Sequence, residues 1–199
     1  MPRQKSYDRD AAVLRARDEF WASGYSMSVR EIEERVGINR FALHTDFNGK
    51  NGIFEEALLL HAEDLFTTAI EPMTGGSIGE IRAFFTSAVC GDDPGDQQRW
   101  GCLMVNTSLE ITGRDLPELQ AITERHWQRL AAAFHSALTR AKDLGEIDQT
   151  LDIDAATSFL VTFAVGANVA NRCAADATSA NQPVEFLFDI IDAWTAATA

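Results

Sequence analysis

Cysteine is scarce in this chain of 199 residues: Cys90, Cys102 and Cys173 are the only three. They lie far apart, their number is odd, and none forms a CxxC pair. A disulfide framework is therefore excluded and a zinc site is not expected. The four histidines, His44, His61, His126 and His135, show no HExxH or other ligand spacing, so no metal or cofactor is expected either. The start, MPRQKSYDRD, has no apolar run behind it, which argues against a secretory signal. Long hydrophobic runs are missing too. The most apolar stretch, residues 159–170, is interrupted by Thr162, Gly166 and Asn168 and falls short of the roughly 20 residues of a membrane span. A soluble cytoplasmic protein with no membrane partner is the expectation. No segment alternates apolar and polar residues over a useful length, so no sheet is expected.

Positive charge is in short supply, and where it falls is informative. The net charge is −13. Residues 1–50 hold nine Lys/Arg against eight Asp/Glu, while residues 51–199 hold eight against twenty-two. An acidic body therefore carries a locally basic head. That is compatible with a nucleic-acid partner, because only the docking face has to neutralise phosphates. With 46% hydrophobic and 24% charged residues the chain has the makeup of a folded protein rather than a disordered one. Its length suits a small domain joined to a larger one.

What is present is helical periodicity almost throughout. Residues 8–23 place Ala12, Val13, Ala16, Phe20 and Trp21 on one face, ended by Gly24. Ser28 and Glu31 form a capping box for a second helix, worth ~1 kcal/mol at its start. Gly37 ends that helix, and Asn39 can cap a third over 39–46. A longer helix is predicted over 50–70, broken by the stretch Glu71-Pro-Met-Thr-Gly-Gly76. Ser77 and Glu80 box the next, to about Val89, and Gly91 to Gln98 reads as a polar loop. A short helix over 101–111 follows, then the longest, from Asp115-Leu-Pro-Glu118 to Gly145. Asp152 or Asp154 opens a helix through Ala174, and Pro183 starts a last one reaching Trp194. The fold class is all-α, about nine helices, divided into residues 1–49 and residues 50–199.

Residues 26–54, SMSVREIEERVGINRFALHTDFNGKNGIF, carry the most specific pattern: two short amphipathic segments about Gly37, locked by Phe47. This is the layout of a helix-turn-helix, which holds a recognition helix at the width of the DNA major groove. Val29, Ile32, Val36, Ile38 and Leu43 would face inward with Phe20 and Phe47. The outer face then shows Asn39, Arg40, Phe41, His44 and Thr45. Arg40, Lys50 and the hydroxyl of Ser28 can reach phosphates. Asn39, Phe41 and Thr45 face the groove, Phe41 through thymine methyls.

The run Gly37-Ile-Asn-Arg-Phe-Ala-Leu-His-Thr-Asp-Phe47, with Lys50 and Ile53-Phe54, resembles the signature of the tetracycline-repressor (TetR) family of bacterial regulators. Phe20, Gly24-Tyr25, Ser28 and Ile32 also fall where that family has its upstream landmarks. The resemblance implies a DNA-binding regulator, a repressor, released from a palindromic double-stranded DNA operator by a small-molecule effector. It also implies a homodimer through the last two helices, and no enzyme activity. Several positions depart from the family pattern. His44 stands where a phosphate-touching Tyr is usual, Phe41 where a small residue is usual, and Glu33 where Ala is usual. Asp46 would repel phosphate if it pointed outward, and Asn51-Gly52 replaces an acidic helix start.

The last two helices permit the dimer independently. Phe159, Phe163, Gly166, Ala167 and Ala170 give one a small-residue face, and Phe186, Leu187, Ile190, Ile191 and Trp194 make the other apolar on more than one side. Candidate effector-lining residues come from the middle helices: Phe66, Phe84, Phe85, Cys102, Val105, Asn106, Leu109, Trp127, Leu130, Phe134, Phe159 and Phe163. Such a set suits an apolar or aromatic molecule. The stretch around Gly101-Cys-Leu103 also resembles a TetR subgroup in which that cysteine senses electrophiles or oxidants. Cys102 lies at a helix N-terminus, near Arg99 in sequence, where the dipole favours thiolate. Two further readings are a helical enzyme using Cys102 with His126 or His135 as base, and a helical interaction protein whose head has lost DNA binding.

Overall fold

A computed structural model describes residues 7–90, 100–174 and 179–195, and the described residues form nine helices. In chain order these are α1 (Arg9–Ser23), α2 (Val29–Val36), α3 (Arg40–Phe47), α4 (Lys50–Leu65), α5 (Ile78–Phe84), α6 (Leu103–Glu110), α7 (Pro117–Asp143), α8 (Ile153–Cys173) and α9 (Asn181–Ala193). The all-α expectation holds. The one β feature among the described residues is a single antiparallel bridge, Ile147 to Thr195.

Local chemistry sets the boundaries. Asp8 accepts from the amides of Asp10 and Ala11 to start α1, and Asp152 accepts from Ala155 to start α8. The Ser28–Glu31 box is reciprocal, and the Ser77 amide donates to Glu80 at 2.7 Å. One expectation fails. Glu71-Pro-Met-Thr does not break the fourth helix, which runs on through a π-helical turn (Phe66–Ile70) and a last α-helical turn (Glu71–Thr74) to Gly75. Pro72 follows directly on the π-helical turn, where the regular i→i−4 ladder is already interrupted. A second wide turn, Phe85–Cys90, prolongs α5. The expected loop from Gly91 to Gln98, and Arg99, lie outside the described residues.

Two cores organise the molecule. The first joins Ala16, Phe20, Ile32, Val36, Leu43 and Phe47 of α1–α3 to Ile53, Phe54 and Leu58 of α4, and to Leu103, Met104, Leu119 and Ile122 of the body. The second packs α5, α7, α8 and α9 around Phe85, Phe134, Leu138, Leu160 and Leu187. Trp127 of α7 packs against both. Burial on this scale, at roughly 25 cal/mol per Å² of apolar surface, is the main force holding the head to the body. By length and composition alone α8 could cross a membrane, contrary to the expectation from its interrupted run. Its Ala156, Leu160, Ala164 and Ala167 are instead buried in the second core.

Candidate nucleic-acid interface

The helix expected to read DNA is α3, and both its ends are fixed. Asn39 Oδ1 accepts from the Ala42 amide at 2.8 Å, and Gly37 adopts the left-handed conformation (φ 78°) that turns the chain from α2 into α3. Asn48, also left-handed, ends it, and the Gly49 amide closes onto the Leu43 carbonyl. Ala42, Leu43 and Phe47 are buried beneath, so Asn39, Arg40, Phe41, His44 and Thr45 all stand exposed on one side. Phe41 is 76% exposed, an unusual position for a large apolar ring.

Four departures noted in the sequence acquire a physical account. Glu33 accepts the Arg40 amide at 2.5 Å and lies 3.9 Å from its guanidinium, so the first amide of α3 is taken by the protein's own carboxylate. Asp46 is turned toward the protein: its carboxylate accepts from Tyr7 Oη at 2.6 Å. Burial, and then the Asp46 hydrogen bond, push the Tyr7 phenol up to about 12. Asn51 accepts from Tyr25 Oη at 2.6 Å. Gly52 lies so close to the Phe47 carbonyl that a β-carbon there would overlap it, so the tight α3–α4 corner requires glycine.

The groups expected to reach phosphate differ in freedom. The Arg40 side chain is largely exposed, and Ser28 is exposed beside its capping role. Lys50 is half-buried, its ammonium 4.3 Å from the centre of the Tyr25 ring, and desolvation followed by the nearby Arg114 lowers its pKa. Around the same tyrosine the body grips the head. The Tyr25 amide donates to Glu110 Oε2 at 2.6 Å, and Arg172 donates to the carbonyls of Trp21 (3.3 Å) and Ala22 (3.1 Å). Trp21 Nε1 in turn donates to the Gly101 carbonyl at 2.8 Å. No local sequence signal marks Glu110 or Arg172, because their partners lie 85 and about 150 positions away.

The twelve expected effector-lining residues are not brought into one cavity. Phe84 meets Phe85 and Phe134 edge-on at 5.2 Å, Phe85 stacks on Phe134 at 5.7 Å, and with Leu130 the three rings fill the second core. Phe163 packs on Phe85, and Phe159 on Phe163 and Trp194, with Phe159 38% exposed at the surface of α8. Leu109 is 62% exposed on α6, away from the other expected residues packed in the core. Val105 is buried, and Asn106 spends its amide on the Trp100 carbonyl at 2.8 Å. Burial pushes the Cys102 thiol up despite the amides of Met104 and Val105 at the start of α6, so the expected thiolate-favouring effect is outweighed.

Phe66 and Trp127 do line space. Phe66, covered by the Arg129 guanidinium, borders a small cavity between α4 and α7 that also meets His126. Trp127, its indole N–H on Ser108 Oγ at 3.1 Å, floors an open groove of about 710 Å³. Ser108, Thr112, Gln120, Thr123 and Val161 complete that groove, and none of them stood out in the sequence.

Comparison with known proteins agrees with this geometry. Residues 13–57 match the model described as bacterial regulatory proteins, tetR family, and residues 78–187 match the tetracyclin repressor-like C-terminal domain. The uncharacterized HTH-type transcriptional regulator YezE of Bacillus subtilis is 28% identical over 197 residues, covering 96% of this chain and all of that one. The HTH-type transcriptional repressor ComR of Escherichia coli is 25% identical, covering 85% of this chain and 82% of ComR. Among solved structures, a cysteine mutant of the regulator CifR complexed with a 26 bp double-strand operator superposes with a TM-score of 0.80. It is 22% identical, with 94% of this chain and 98% of that one covered.

Proposed function

Since the chain belongs to the tetR family of bacterial regulatory proteins, it is a DNA-binding transcriptional regulator and not an enzyme; we propose that it is a homodimeric, cytoplasmic repressor of a palindromic operator. The observation that carries this reading is α3, capped at both ends and offering Asn39, Arg40, Phe41, His44 and Thr45 on one exposed side. ComR is a repressor by name, and CifR was solved on operator DNA; both support the assignment. Ser28, Arg40 and Lys50 hold the backbone, while Asn39, Phe41, His44 and Thr45 meet the groove. The dimer forms through α8 and α9, where Phe159 (38% exposed) and Phe186 (65% exposed) stand at the surface and Gly166 has open space beside it for close helix approach.

Release is by a small apolar or aromatic effector in the groove floored by Trp127. Its volume lies within the ~300–1,000 Å³ usual for ligand sites. The same two-turn helix, α6, carries Ser108 in the groove and Glu110 on the Tyr25 amide. An effector that favours a shifted α6 would therefore act on the turn between α1 and α2 and change the spacing of the two recognition helices.

The test is selection of bound palindromes from random DNA, followed by titration at several salt concentrations. Sequence-selective binding whose affinity falls steeply with salt is expected, with a slope smaller by about one per half-site contact in an Arg40→Ala variant. Failure to select any sequence at low salt refutes the reading.

A further inference from the structure

The exposed side of α3 sets one large apolar ring among hydrogen-bonding groups that are partly committed within the protein. Thr45 Oγ1 donates to the Phe41 carbonyl at 2.9 Å, so its hydroxyl is left as an acceptor. Asn39 has committed its oxygen to the Ala42 amide, and Arg40 lies beside the Glu33 carboxylate. Asp46 is turned to Tyr7. Between these stands Phe41, one helical turn from Thr45, 76% exposed and in none of the aromatic or cation–π contacts that engage the buried rings around it. His44 is the one neighbouring side chain on that surface with a free ring.

An uncovered phenyl on a DNA-reading helix loses nothing by meeting an apolar surface, and the major groove offers one such surface, the C5-methyl of thymine. We infer that this head reads thymine in its operator half-site through the C5-methyl group, with the Phe41 ring packed on one or two thymines. The inference rests on the operator-binding reading above and adds what that operator contains. It also gives Phe41, where the family resemblance expects a small residue, the role of a specificity determinant.

The experiment replaces each thymine of the selected operator, one symmetric pair at a time, by deoxyuridine. That change removes only the methyl and keeps both Watson–Crick and O4 groups. Burial of one methyl corresponds to about a fourfold change in affinity, so a symmetric pair is expected to weaken binding about tenfold or more at one or two positions. The Phe41→Ala protein, whose lost side chain is exposed and whose melting temperature should be unchanged, is expected to bind thymine and uracil operators alike. At the sensitive position 5-methylcytosine should outperform cytosine. Uracil operators that bind wild type as well as thymine operators at every position overturn the inference, as does a deoxyuridine effect that survives in Phe41→Ala. Both outcomes leave operator binding standing, whereas a protein that selects no operator refutes the underlying reading instead.

Discussion

Two buried histidines should make this protein unusually sensitive to mild acid. His61 of α4 packs edge-on against Trp21 with ring centres 4.5 Å apart, and its Nε2 has no hydrogen-bond partner. Desolvation, then the nearness of His126 and Arg17, brings its pKa down to about 3. His126 of α7 is brought down to about 4 by burial and then Arg129. Both rings are therefore neutral in the folded chain at pH 5, while in the unfolded chain, with an ordinary pKa near 6.5, they are protonated. The stability tied to this neutral form is fully present above about pH 6.5 and is lost as the pH falls toward the folded values. Integrated from pH 7 to pH 5, the loss is about 2 kcal/mol per ring and about 4 kcal/mol for the pair. The carboxylates held low, Glu31 and Asp148, contribute only below that window. Urea unfolding at pH 7, 6 and 5, at one protein concentration because a dimer's stability depends on it, measures the slope. A His61→Leu, His126→Leu double variant should lose most of the pH dependence. At pH 7 it should be little changed, since the orphaned Nε2 is removed with its ring. A wild-type protein equally stable at pH 7 and pH 5, or a double variant with an unaltered slope, would refute the argument.

Three other outcomes are expected. Gly52→Ala should destabilise by about 2 kcal/mol or more, because the methyl meets the Phe47 carbonyl, whereas Gly79→Ala, in open space in the first turn of α5, should stabilise by about 0.5 kcal/mol; thermal melts compare the two. Glu110→Ala should speed hydrogen exchange at the Tyr25 amide at least tenfold and lower head stability by about 1–2 kcal/mol; unchanged exchange would show that the carboxylate does not hold the turn. Phe159→Asp with Phe186→Asp should yield a helical monomer in sedimentation equilibrium, with operator affinity sharply reduced because two half-sites can no longer be held together; a persistent dimer would move the interface elsewhere.

What was legible in the sequence was what is local. The Ser28–Glu31 box, the left-handed Gly37 and the Asn39 cap each act over three or four residues, so residue type and spacing suffice to place them. The inner and outer sides of α3 follow from the 3.6-residue period in the same way. Asp46 could not be oriented like this, because its partner Tyr7 is 39 positions away. The carboxylate that looked like a repulsive departure is a tie between the start of α1 and the end of α3. Asn51-Gly52 is likewise a packing solution, set by Tyr25 and the Phe47 carbonyl rather than by helix-capping preference.

The effector-lining residues show a different limit. Periodicity marks Phe84, Phe85, Phe134 and Trp127 equally as inward-facing, yet three of them pack into solid core while Trp127 floors a groove. Whether an interior is filled depends on how side chains from α5, α6, α7 and α8 add up in volume, a sum that no single helix encodes. The polar residues are the better guide, since a serine, threonine or glutamine beside an apolar line is tolerated where water or a ligand reaches it. Ser108, Thr112, Gln120 and Thr123 fall together only because α6 and α7 cross there. Each of them reads alone as an ordinary surface position. On this ground Trp127, which packs against both cores and donates to Ser108, joins the groove to the packing between body and head.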